Sequence, residues 1–185
     1  MRGIEIIIIV GVLAILVVAA ISVYNKLVKN KNLMQEAWSG IDVFLKKRHD
    51  LVPNLVETVK GYAVHEKTTL ENITRYRSEA MQAKSPEAQL ASENHLGKAL
   101  ANLFAVAENY PDLKANANFL SLQQQLTDLE HDLESSRRYY NGTVRVNNTY
   151  MEKFPSNIIA GMFKFQKGVF FTVDSSEKEV PKVSF

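Results

Sequence analysis

The sequence contains no cysteine, and in 185 residues only five prolines, eight glycines and one tryptophan, with a formal charge of +2. Without cysteine, disulfides, thiolate nucleophiles and zinc–thiolate centres are excluded, and either face of a membrane stays open as a location. The small net charge, with basic residues scattered among acids rather than gathered in a stripe interleaved with aromatics, excludes a nucleic-acid partner. No glycine-rich phosphate loop occurs, and the serines lack a histidine and an acid at recognisable spacings. His65-Glu66 begins like a zincin motif, but Thr69 stands where the second histidine is needed. Asp128 and His131 have the spacing of a di-iron pair. With Leu126 at zero, however, they point to about 200° and 140°, away from the apolar seam. No catalytic residue, metal ligand or cofactor is therefore expected.

What the chain has in abundance is apolar run and helical period. Residues 6–23 are uncharged, and only Gly11 and Ser22 interrupt the stretch from Ile6 to Val23. Extended to Ile4 and Tyr24, it reaches about 20 residues, enough to cross roughly 30 Å of hydrocarbon. A cleaved signal peptide fits less well, because the run is too long and Tyr24-Asn25-Lys26 offers no small-residue cleavage pattern. The run also resembles the first helix of type IV pilin-like proteins. There the Glu sits five residues past the glycine, whereas Glu5 is two past Gly3, and no β-rich head follows. Lys26, Lys29 and Lys31 after the run outweigh Arg2 and the terminal amine, which have Glu5 nearby, by about one positive charge, so the body is expected in the cytoplasm.

Beyond the run, helix is expected almost throughout. With Leu55 at zero and about 100° per residue, Phe44, Arg48, Leu51, Val52, Val59, Tyr62 and Glu66 lie within roughly 60° of one line. Between residues 25 and 84, Pro53 is the one proline, and Gly40 and Gly61 the two glycines. A straight rod over that range is about 90 Å long, while the helix started by Ser85-Pro86 and ending near Asn109 spans about 35 Å. Either the first segment folds back near Pro53 or Gly61 into an up-down bundle, or Leu33, Ala37, Trp38, Ile41 and Phe44 stay exposed for a neighbour. A third helix from about Leu113 to Lys153 carries a seam of Phe119, Leu122, Leu126, Leu129, Leu133, Tyr140, Val144, Met151 and Phe154. Polar Ser136 and Asn147 share that seam. Pro155 ends this helix, and a short one from Ile158 to Phe165 follows.

Several blocks together resemble one family. AWSGIDV, KKRHDL.PNLVETVKGYA and a following HE within residues 36–66, then residues 105–126, 134–148 and 154–165 (FPSNIIAGMFKF), are similar in order to the LemA family of bacterial membrane proteins. Phe44, Lys46 and Lys47 depart from the family pattern, where a Gln and a more Arg-rich run are usual. The resemblance implies a single-pass, helical, membrane-anchored protein with its amino terminus outside, and it carries no reaction.

The expected architecture is all-α. Residues 1–24 are the transmembrane anchor, 25–32 a basic juxtamembrane segment, 33–173 an antiparallel bundle of three to four long helices with a short final helix, and 174–185 a charged tail anchored at Val183 and Phe185. Arg48, Glu66, Glu130 and Arg137 are expected to meet as a buried polar network. Leu33, Ala37, Trp38, Ile41, Phe44, His49 and Asp50 are the candidate interaction surface. The expected function is a non-enzymatic scaffold in the bacterial plasma membrane that self-associates or recruits other membrane proteins, with lipid as its first partner. The alternatives are an accessory subunit of a membrane enzyme or transport complex with an interhelical polar site, and a pilin-like filament subunit.

Overall fold

The computed structural model describes residues 2–171, apart from the side chains of Arg2, Pro86 and Glu87. It is all-α: α1 (Arg2–Lys60), a 3-10 turn (Val64–Glu66), α2 (Lys67–Gln82), α3 (Pro86–Ala107), α4 (Pro111–Lys114), α5 (Ala117–Glu152) and α6 (Ser156–Met162). Among the described residues there is no strand.

Local chemistry sets the breaks. α1 passes unbroken through Pro53 and ends at Lys60, so the chain turns back at Gly61 and not at the proline. Ser85 caps α3, its hydroxyl accepting from the Ala88 N–H at 3.2 Å, with Pro86 in the first turn where no donor is missed. The helix expected from Leu113 is instead two. Asn116 accepts from the Phe119 N–H at 3.0 Å and starts α5 afresh after the short α4. Its side chain satisfies a backbone donor that a continuous helix would have bonded to a carbonyl.

Contacts divide the chain into two units, one of residues 2–39 with Arg138–Phe170, the other of Gly40–Arg137 with Phe171. The division falls inside α1 and α5.

In the second unit the end of α1, α2, α3 and the beginning of α5 share a core that includes Val52, Leu55, Val59, Ile73, Leu96, Leu103 and Phe119. Each fully buried side chain of this kind contributes about 1.5–3 kcal/mol. Leu126, Leu129 and Leu133 continue the α5 seam as buried residues. Tyr62 leaves the stripe, 42% exposed, because the 100° step no longer applies once α1 has ended.

In the first unit, Leu27 on α1, Met151 on α5 and Ala160 on α6 form a small core, with Val23, Ile159 and Phe165 packed against it. Trp38 meets Tyr140 edge-on at 5.2 Å. Since 27 faces 151 and 38 faces 140, α1 and α5 run antiparallel here. Val144 and Asn147 are buried on the expected seam, but Phe154 is 81% exposed, since α5 stops at Glu152 and its period no longer places that ring. The leading part of α1 is long and apolar enough to cross a membrane, and none of its most apolar window is buried. Val169 and Phe170 are exposed and Phe171 is buried. Thr172, Val173 and the tail 174–185, with Val183 and Phe185, lie outside the described residues.

Candidate functional site

Arg48 is the largest of the fully buried side chains, at 2% exposure on α1. Such a charge must be matched within its own reach. Its guanidinium pairs with Glu93 of α3 and, at 2.9 Å, with Glu130 of α5. His49 beside it is 7% exposed and shares a 2.7 Å hydrogen bond between Nε2 and Glu93 Oε1. Arg137, one and a half to two turns along α5 from Glu130, donates to Glu130 Oε1 at 3.2 Å and lies over the Phe171 ring at 4.6 Å.

Charges on three helices thus clasp around one guanidinium. Glu93 has no exposed side-chain surface, and burial alone would raise its pKa. The hydrogen bond with His49, then the charge and hydrogen bond of Arg48, outweigh burial and hold the carboxyl below the usual glutamate range. Burial lowers Arg137, with Glu130 opposing. Asp42, bonded by Gln89 at 3.2 Å, is raised by burial and further by the charge on Glu93. Both oxygens of Glu93 are engaged, one by His49 and one by Arg48. A carboxylate engaged at both oxygens in this way ties α3 to α1. Beside the clasp opens a cleft of about 530 Å³ whose lining includes Arg48, Glu93, Glu130 and Arg137 together with the apolar Leu100, Phe104 and Leu126.

The structure therefore brings Arg48, Glu130 and Arg137 together and leaves Glu66 out. Glu66 lies past the end of α1, half-buried, where it accepts from Tyr110 at 3.1 Å and from Thr69 at 3.4 Å. Partial burial and this carboxylate push the Tyr110 hydroxyl up. The acid that takes its place is Glu93. The sequence carried a signal for it, an acid three residues from Leu90 and from Leu96 on the apolar face of α3.

Of the residues expected on an interaction surface, Ala37, Ile41 and His49 are buried, Leu33, Trp38 and Phe44 are half-buried, and Asp50 is exposed. Ile41, with no exposed surface, is covered within the chain itself. Asp128 and His131 are both exposed. Among the described residues, no group of three or more His, Cys, Asp or Glu is placed to hold a metal ion.

Comparison with known proteins agrees with the blocks seen in the sequence. Protein LemA of Metamycoplasma hominis is 27% identical over 158 residues, which cover 83% of this chain and 71% of that protein. Magnetosome protein MamQ 2 of Paramagnetospirillum magneticum and magnetosome protein MamQ of Magnetospirillum gryphiswaldense are each 22% identical over 174 residues, or 80% of this chain. The match spans 64% of each MamQ protein, just under two thirds of its length. The LemA family model matches residues 37–185, a range that holds the Arg48 clasp and every helix after α1. The chain belongs to the LemA family.

Proposed function

We propose that this protein is a non-enzymatic, single-pass scaffold, with the start of α1 in a bilayer and the helices behind it offered to partner proteins. The observation that carries this reading is the exposure of the leading helix. Ile7, Ile15 and Val18 are 71%, 70% and 63% exposed, and no described part of the chain covers them. A bare apolar helix is solvated by hydrocarbon, where its backbone bonds are satisfied internally. Lys26, Lys29 and Lys31 favour the cytoplasmic face of the plasma membrane for the helical body beyond them. The clasp supports a structural role, since the Arg48 guanidinium ties α1 to α3 through Glu93 and to α5 through Glu130.

Self-association tests the scaffold reading. The mass of the full-length particle in a mild detergent should rise with concentration to a discrete multiple of the monomer. A monomer at every concentration removes self-assembly and leaves recruitment of other proteins.

The cleft beside Arg48 favours a second reading, an accessory protein that holds a small ligand between helices. Native mass spectrometry of protein taken from its own membranes would then show a bound small molecule. Ala101→Trp, which fills the cleft from an exposed position on its wall, should abolish it.

A further inference from the structure

We propose that α6 and the residues flanking it are a second membrane contact, an apolar foot that enters the headgroup region of an anionic bilayer beside the point where α1 leaves it. The inference rests on the reading that the start of α1 crosses that bilayer.

α6 has two faces. Ser156 and Ala160 are buried and Ile159 is half-buried, which fixes the inner face. On the other side Ile158 and Met162, four residues apart and so one above the other, are 53% and 68% exposed. Phe154 just before the helix is 81% exposed, and Phe163 just after it 54%. Four large apolar side chains within ten residues of sequence, all turned outward, are a patch and not scattered surface residues.

The position of the patch identifies its occupant. Tyr24 closes the apolar run of α1, and its ring lies 4.8 Å from that of Phe163 and 5.8 Å from that of Phe165. The patch therefore starts at the level where hydrocarbon gives way to headgroups, which is where aromatic rings with a polar edge collect. Its border is basic. Lys153 and Lys164 flank α6 and are exposed, as are Lys26 and Lys29 on α1, and Lys167 pairs with Glu152 at 2.7 Å. An apolar face rimmed by lysines matches the acyl boundary below and the anionic phosphates above. A second protein on this patch is the competing occupant, and fluorescence quenching from the two phases separates them.

The absence of cysteine makes the test direct, because one introduced thiol takes one label. Full-length protein carrying Met162→Cys, Ile15→Cys or Glu36→Cys is labelled with an environment-sensitive fluorophore and reconstituted in phosphatidylglycerol and phosphatidylethanolamine vesicles. Glu36 is exposed on α1, twelve residues past Tyr24, roughly 18 Å along the helix. Lipids brominated along their chains should quench the labels at Met162 and Ile15 and spare that at Glu36. The Met162 label should lie about 5–10 Å into the headgroup and acyl boundary. Iodide in the water should quench the Glu36 label several-fold more than the Met162 label. If the Ile15 label is quenched by lipid while the Met162 label responds only to iodide, the foot is wrong and the anchor stands. If the Met162 label is shielded from both quenchers, protein covers the patch and the lipid proposal is overturned. If the Ile15 label is not quenched by lipid, the anchor reading fails and the foot with it. As a second check with the same label, Lys153→Gln with Lys164→Gln should abolish any gain in protection of the Met162 label from iodide on raising the phosphatidylglycerol fraction.

Discussion

Arg77 donates from Nε to the backbone carbonyl of His49 at 2.7 Å. In an uninterrupted helix that carbonyl accepts from the N–H four residues on, and at that position stands Pro53, which has none. α2 thus supplies the donor that α1 lacks, next to the buried clasp. Arg77→Ala should destabilise the protein by about 1–3 kcal/mol, the cost of a buried acceptor left without a partner. In a Pro53→Ala background the helix regains its own donor and the same substitution should cost well under half as much. Equal losses of melting temperature in both backgrounds would show that Arg77 acts by other means.

The two acids around Arg48 are not equivalent. Glu93 has no exposed side-chain surface, whereas the Glu130 side chain is 51% exposed. Removing the charge of a buried partner leaves an uncompensated ion, so Glu93→Gln should cost about 3–5 kcal/mol. A half-exposed pair is screened by water, so Glu130→Gln should cost about 0–1 kcal/mol. Chemical denaturation of the two variants gives the order directly, and equal midpoints would contradict it.

Glu93 also sets a pH dependence. Its pKa in the folded protein is below the usual value, so folding favours the ionised form. The stability this contributes is complete above the ordinary glutamate value of about 4.3. It fades as the pH falls from there through the lower folded value, because the unfolded chain takes up the proton first. Glu93→Gln should flatten that acid limb in a plot of melting temperature against pH. An unchanged slope would mean that another group governs it.

Gly168 sits where a side chain would have to displace the end of Met34 and press on Val144. A Cβ there would collide with the Met34 sulfur and lie 3.2 Å from Val144 Cγ2. Asn148 holds the glycine on both sides, accepting from its N–H at 2.8 Å and donating to its carbonyl at 2.9 Å, so the backbone cannot easily withdraw. Gly168→Ala should cost about 1–3 kcal/mol, as overpacking does. Met34→Ala should recover part of that loss when combined with it, and a double variant no more stable than the single one would place the strain elsewhere.

The sequence made the helices legible because their signals are local. The apolar run of α1, the Ser85-Pro86 start and the seam from Phe119 to Val144 each depend on period or cap alone. Extrapolation failed where a helix ended sooner than the period did. Tyr62 and Glu66 lie past Lys60, and Phe154 lies past Glu152, so their angular positions no longer had meaning. Asn116 is a cap readable from its residue type inside an otherwise continuous pattern. Helical angle places Arg48 and Arg137 on covered faces, but Glu130, expected to be buried with them, is half-exposed at the edge of the clasp. Spacing within α3 places Glu93 on the apolar face, but its pairing with Arg48 and His49 needs tertiary knowledge, because which helix packs against Arg48 decides which acid meets it.

A scaffold anchored by the start of α1 requires the leading helix to lie in lipid. Full-length protein reconstituted with phosphatidylglycerol and phosphatidylethanolamine vesicles, washed at high salt and alkaline pH, should float with the vesicles through a density gradient. Such washing removes peripheral and electrostatic contacts but not a helix of about 20 apolar residues spanning the bilayer. Protein left dissolved at the bottom of the gradient, uncleaved and without detergent, would contradict this anchoring.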